Sequence, residues 1–139
     1  MRNEFLCRAK LPVSSKWMYG CIVYRTNDSF VYMLENGSKE WLHVVNPQTV
    51  CRCSGLEDMH GKKIFENDIH KFNGKLYIVK FGKYNFISTY GLDSAYGWYM
   101  EDCEDSSKQY GFGGNESEYV NIIGNAIDNP ELLGGAENV

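Results

Sequence analysis

The sequence predicts a mainly β protein built of short antiparallel strands and hairpins. Three observations carry that prediction. Ten Tyr, seven Phe and three Trp stand among 139 residues with only three Pro, and aromatic and β-branched side chains suit a pleated, half-buried surface. Two Asn-Gly pairs, Asn36-Gly37 and Asn73-Gly74, separate β-rich runs; these residues accept the positive φ of a tight hairpin turn. Residues 17–25 alternate, with Tyr19, Cys21, Val23 and Arg25 on one side and Met18, Gly20, Ile22 and Tyr24 on the other, the two-residue period of a strand.

The elements follow in order. Residues 4–10 alternate weakly, Phe5, Cys7 and Ala9 against Leu6 and Arg8, and read as a strand. A loop over 12–16 leads to the strand 17–25. Thr26-Asn27-Asp28-Ser29 is a turn by composition, and residues 30–34 return. After Asn36-Gly37, residues 41–45 form a strand that Asn46-Pro47 ends. The first part is thus a meander, 1–53, within a single domain that spans 1–139.

The stretch from residue 54 to 68 is the pivot. Gly55 and Gly61 can each close a turn, with His60-Gly61 as a turn tip. Asn67 is a non-glycine residue that tolerates the left-handed region. It feeds a hairpin: Ile69 to Phe72, the turn Asn73-Gly74, then Leu76 to Phe81. Residues 84–90 alternate as a third strand, 91–95 read as a loop, and 96–100 are short and aromatic. The acidic, glycine-rich stretch 101–118 reads as the least ordered part. Residues 119–127 read as a strand by β-branching. Asn129-Pro130-Glu131 opens a short helical turn through Leu133, and 134–139 form a fraying tail. The strand–turn plan, with a polar Asp before Ile69, resembles small SH3-like barrels; that likeness of pattern carries no function.

The central run Ser54-Gly55-Leu56-Glu57-Asp58-Met59-His60-Gly61-Lys62-Lys63-Ile64-Phe65-Glu66-Asn67-Asp68-Ile69 resembles the signature of the YopX family of phage and prophage proteins, in outline Thr-Gly-Leu-Lys-Asp-x-x-Gly-x-x-Ile-Tyr-Glu-Gly-Asp-Ile. Three further pieces match in order. They are Phe5 to Lys10; Lys80-Phe81-Gly82-Lys83-Tyr84; and Ile122-Ile123-Gly124-Asn125 followed by Asn129-Pro130-Glu131-Leu132-Leu133. Departures from the outline include Ser54, Glu57 and Asn67, and these three suit turn geometry. The resemblance implies a compact, largely β, phage- or prophage-encoded domain. It assigns no activity and no catalytic residue.

Charge is unevenly spread. Residues 59–85 carry six lysines against two acids, and residues 86–139 carry one lysine against ten acids. The two segments attract each other in principle, but a solvated surface screened over ~8–10 Å is the plainer expectation. No apolar run is long enough to cross a bilayer and no leader pattern opens the chain, so a cytoplasmic protein with no membrane partner is expected.

Cys51-x-Cys53 with His60, His70 and Cys103 is the one metal-like set, but zinc sites favour wider Cys pairs and a second pair is missing; buried thiols explain Cys51 and Cys53 as well. Cys103 sits among Glu101, Asp102, Glu104 and Asp105, which oppose thiolate formation and make it a poor nucleophile. The pairs Asp102/Asp105 and Glu116/Glu118 read as solvated faces, and Gly111, Gly113 and Gly114 precede acids that would repel phosphate. No catalytic residue, metal or cofactor is assigned, and the chain is expected not to be an enzyme. The expected role is an interaction module acting on a protein partner or on a second copy. Its candidate surface comprises Trp17, Tyr96, Trp98 and Tyr99 with Lys62, Lys63, Lys71 and Lys75. The less favoured alternative is nucleic-acid binding by the basic, aromatic hairpin 60–84, which the acidic balance of the chain opposes. A metal-dependent enzyme is the third reading.

Overall fold

A computed structural model describes residues 6–37, 41–113 and 118–134. The readings that involve Phe5, Gly114, Glu116 and the tail 135–139 lie outside these residues. The protein is mainly β, and no α-helix occurs among the described residues. The chain divides into two compact units, Met1–Gly55 and Leu56–Val139.

The first unit is a meander. Strands β1 (Cys7–Lys10), β2 (Trp17–Tyr24), β3 (Val31–Glu35), β4 (Leu42–Val44) and β5 (Cys51–Glu57) lie antiparallel in the order β4-β3-β2-β1-β5. A 3-10 turn, Pro47–Thr49, precedes β5; the Asn46 side chain caps it by accepting from Gln48 N–H. Ala9, Met18, Met33 and Val45 form the core, with Ile22 and Val50 packed on it. Gly20 pairs with Glu35, and a Cβ there would strike the Leu34 carbonyl, so only glycine fits where β2 and β3 approach. Gly55 was expected to close a turn; at φ 85° it bends the interior of β5 instead.

The second unit holds β6 (Lys63–Phe65), β7 (Asp68–Phe72), β8 (Lys75–Ser88), β9 (Gly91–Asp102), β10 (Asp105–Gly111) and β11 (Ile122–Asn125). Its sheet runs β10-β9-β8-β7-β11, antiparallel throughout. Ile64, Val79, Met100, Val120 and Ile122 form its core. The Asn73-Gly74 turn behaves as its sequence predicts: φ is 52° and 78°, and Phe72 faces Lys75.

Several expectations need correction. Of the alternating run 84–90, residues 84–88 are the far half of one fourteen-residue strand, β8, and Thr89 and Tyr90 form the turn that follows it. The loop expected at 91–95 is instead strand, because residues 84–88 pair with it one for one. The acidic stretch 101–111 is ordered: β9 ends at Asp102 and β10 follows at once. Its polar composition is that of an edge strand, where charge protects unpaired backbone. The strand expected over 119–127 shortens to β11, because the Asn125 side chain accepts from Ile127 N–H and Asp128 N–H and turns the chain. The C-terminal turn is present as a 3-10 turn, Pro130–Leu133. Asn129 does not cap it; its Oδ1 accepts from Asn125 N–H. Neither set of described strands closes on itself, so the SH3-like barrel is not found. Open sheets result, and β10 and β11 are left as the edges of the second.

Candidate functional site

The pivot forms a structural knot within the second unit. Asp58 is buried, 5% exposed. Its Oδ1 accepts from His60 N–H and Lys62 N–H, both at 2.9 Å, and its Oδ2 from Ile122 N–H at 3.2 Å. Burial alone would push the Asp58 carboxyl up, but the backbone donors of Lys62, His60 and Ile122 outweigh it and hold the group below the usual carboxylate range. Gly61 (φ 81°) completes the bend. Asp68 Oδ2 accepts from Phe65 N–H at 2.8 Å, and Asn67 takes φ 72° to set this up. The conspicuous acids of this stretch therefore hold turns together.

Two features outside the pivot have the form of binding surfaces. The first is the far half of the β8–β9 hairpin. The opposed glycines Gly82 and Gly97 mark its root. The register of β7 with β8 stops at Ile78, and that of β10 with β9 stops at Tyr99; beyond them the ladder of β8 is with β9 alone, though Asn85 N–H still donates to Gln109 Oε1 of β10 at 2.9 Å. Phe81 and Trp98 meet at 5.1 Å between ring centroids at the root, and Tyr84 stacks on Tyr99 at 5.1 Å. Toward the tip the apolar side chains face water: Ile87 is 85% exposed, Tyr90 98%, Leu92 78% and Tyr96 75%. Ile87 and Leu92 are direct cross-strand partners.

The second is a cup of about 260 Å³. Buried His70, Met100 and Val120 contribute to its lining, and partly exposed Phe72, Tyr77, Tyr110, Phe112 and Tyr119 form the rest of its wall with Gly111. The rings contact one another: His70 and Phe72 stack at 6.0 Å, Phe72 and Tyr119 lie 5.6 Å apart, and Tyr77 and Tyr110 meet edge-on at 6.0 Å. Asn121 N–H donates to His70 Nδ1 at 2.9 Å, so the neutral ring carries its proton on Nε2. Burial, only partly offset by the Asn121 backbone, holds His70 below the ordinary imidazole range.

The expected surface residues are scattered. Tyr96 is exposed on the hairpin, but Trp98 is half-buried against the core and Tyr99, 8% exposed, offers no contact surface. Trp17 lies in the first unit beneath the Arg8 guanidinium at 4.6 Å and near the Lys10 ammonium at 5.2 Å. Lys62, Lys71 and Lys75 are exposed and Lys63 is half-exposed; Lys75 pairs with Asp102 at 3.8 Å. Lys80 likewise reaches Glu101 at 3.3 Å, so basic and acidic segments do meet, in pairs worth about 0–1 kcal/mol each where exposed. Among the described residues no group of three or more His, Cys, Asp or Glu side chains could hold a metal. Burial first, then Asp102 and Glu101, pushes the Cys103 thiol up to about 11. Sequence reasoning missed Ile87, Tyr90 and Leu92, whose signal was an apolar pair flanking a turn. It also missed the cup, whose walls come from five separate segments. No helix of the described residues is long and apolar enough to cross a membrane.

A family model described as YopX protein matches residues 14–134, most of the chain. No curated protein matches it.

Proposed function

We propose that this chain, which belongs to the YopX family, is a non-enzymatic accessory protein of a phage or prophage that works in the host cytoplasm by protein–protein contact. The observation that supports this reading is the far half of the β8–β9 hairpin. Ile87, Tyr90, Leu92 and Tyr96 are each at least three-quarters exposed there, Ile87 and Leu92 are cross-strand partners, and exposed apolar groups gathered on one hairpin mark contact sites rather than inert surface. Aromatic residues are also enriched where proteins meet, with Tyr among them. The partner is another protein or a second copy of the chain.

Light scattering on a sizing column, combined with capture of partners from host lysate, tests the reading. The wild type is compared with a Tyr90→Ser/Leu92→Ser variant. Association or capture by the wild type that the variant loses, with unchanged circular dichroism, supports the hairpin as the contact surface. A wild type that is monomeric at high concentration and retains nothing specific from lysate rejects it.

A further inference from the structure

We propose that the cup lined by His70, Phe72, Tyr77, Tyr110 and Tyr119 binds one flat, uncharged heteroaromatic ring bearing a hydrogen-bond acceptor, which is the chemistry of a nucleobase. The proposal is independent of the hairpin and can hold whether or not the hairpin makes protein contacts.

Size comes first. Pockets for drug-sized ligands run to ~300–1,000 Å³, and this cup of about 260 Å³ takes a single ring system. Shape comes second. Phe72, Tyr110 and Tyr119 keep roughly half their surface open to solvent, so ring faces and edges are available to a flat guest. A base stacks favourably on such a ring whatever its identity, because every base has a π-face.

Polarity then narrows the guest. Because Asn121 N–H occupies Nδ1, the Nε2–H of His70 is a donor, and it has no hydrogen-bond partner among the described residues. A plain hydrocarbon leaves that donor unsatisfied, which opposes its binding. A quaternary ammonium, the usual guest of an aromatic cage, meets a donor here and finds no carboxylate among the described lining residues. An anion finds neither Lys nor Arg among the described lining residues and a His70 whose charged form burial disfavours. An uncharged ring with a nitrogen or carbonyl acceptor satisfies all three conditions. Such a ring reaches the cup either as a free nucleoside or as an unstacked base of a single strand.

The test is amide and side-chain NMR titration of the full chain with adenosine, uridine, tetramethylammonium and an oligothymidylate of about 12 nucleotides. Saturable shifts at Asn121, Phe112 and the His70 ring are expected with a nucleoside or with the strand. Tyr110→Ala and Tyr119→Ala, both at half-exposed positions, should each weaken binding about tenfold, whereas Tyr96→Ala on the hairpin should not. Binding of free nucleosides that is insensitive to salt identifies a small-molecule guest. Binding of the strand alone, falling steeply with salt, identifies a base held within a strand. Response to tetramethylammonium alone, no response to any probe, or shifts that survive both tyrosine substitutions would overturn the proposal.

Discussion

Asp58 and Ile122 stand 64 residues apart and are joined by one hydrogen bond, from Ile122 N–H to Asp58 Oδ2 at 3.2 Å. The same carboxylate holds the turn at His60 and Lys62. One side chain therefore fixes a local bend and anchors it to the strand β11. Nearby, Met59 N–H donates to the Val120 carbonyl at 2.9 Å, so the two segments are tied twice.

Replacing Asp58 removes the acceptor of three backbone donors. Each buried donor left without a partner costs ~1–3 kcal/mol, and water can reach the exposed turn, so Asp58→Ala should destabilise the second unit by about 3 kcal/mol. Asp58→Asn keeps one acceptor oxygen and should lose roughly half as much. Urea unfolding followed by circular dichroism measures both; an Ala variant within experimental scatter of the wild type would remove Asp58 from its assigned role.

Acid should release the same knot. The folded carboxyl lies below its ordinary value of 3.8. Its stabilising contribution is therefore complete above that value and is lost as the pH falls through the lower folded value. As the pH falls below the ordinary value of 3.8 and through the lower folded value, the wild type should lose stability more steeply than Asp58→Asn, which has no charge to lose at that position. Parallel acid slopes for the two proteins would contradict this.

In the first unit, Gly20→Ala should be severe although it adds one methyl group. The new Cβ meets the backbone of Leu34 and lies 3.0 Å from Asn36 N, and backbone cannot rotate away as a side chain can. The cost should reach roughly 2 kcal/mol or more, visible as a lowered thermal midpoint. Gly97→Ala is the matched control, since nothing lies within 4 Å of its added Cβ and its φ is not positive.

Cys103 should resist alkylation in the native protein. Its thiol is raised to about 11, first by burial and then by Asp102 and Glu101, and only the thiolate reacts. Iodoacetamide at pH 7.5, followed by peptide mass mapping, should leave Cys103 unmodified until denaturant is added. Rapid native labelling at Cys103 would show that the thiol is not held in this environment.

The local decisions were legible in the sequence. Asn73-Gly74 takes the two positive φ values of a tight hairpin, and Asn67 enters the left-handed region where the family outline has glycine, because backbone sterics at one or two residues fix such turns. Alternation gave β2 for the same reason: its period is set within the strand. The acidic stretch misled, since composition reports solvation and not pairing. β10 is ordered because β9 supplies its partners at Met100 and Glu101, and nothing in Asp105 to Gly111 announces them. The Asp58–Ile122 bond, the burial of Tyr99 and the ring-lined cup likewise depend on segments tens of residues apart. Steric limits on each residue let the sequence determine where the chain turns; only the tertiary fold decided which side chains meet, because hydrogen bonds and ring contacts across that separation exist only once the strands are in register.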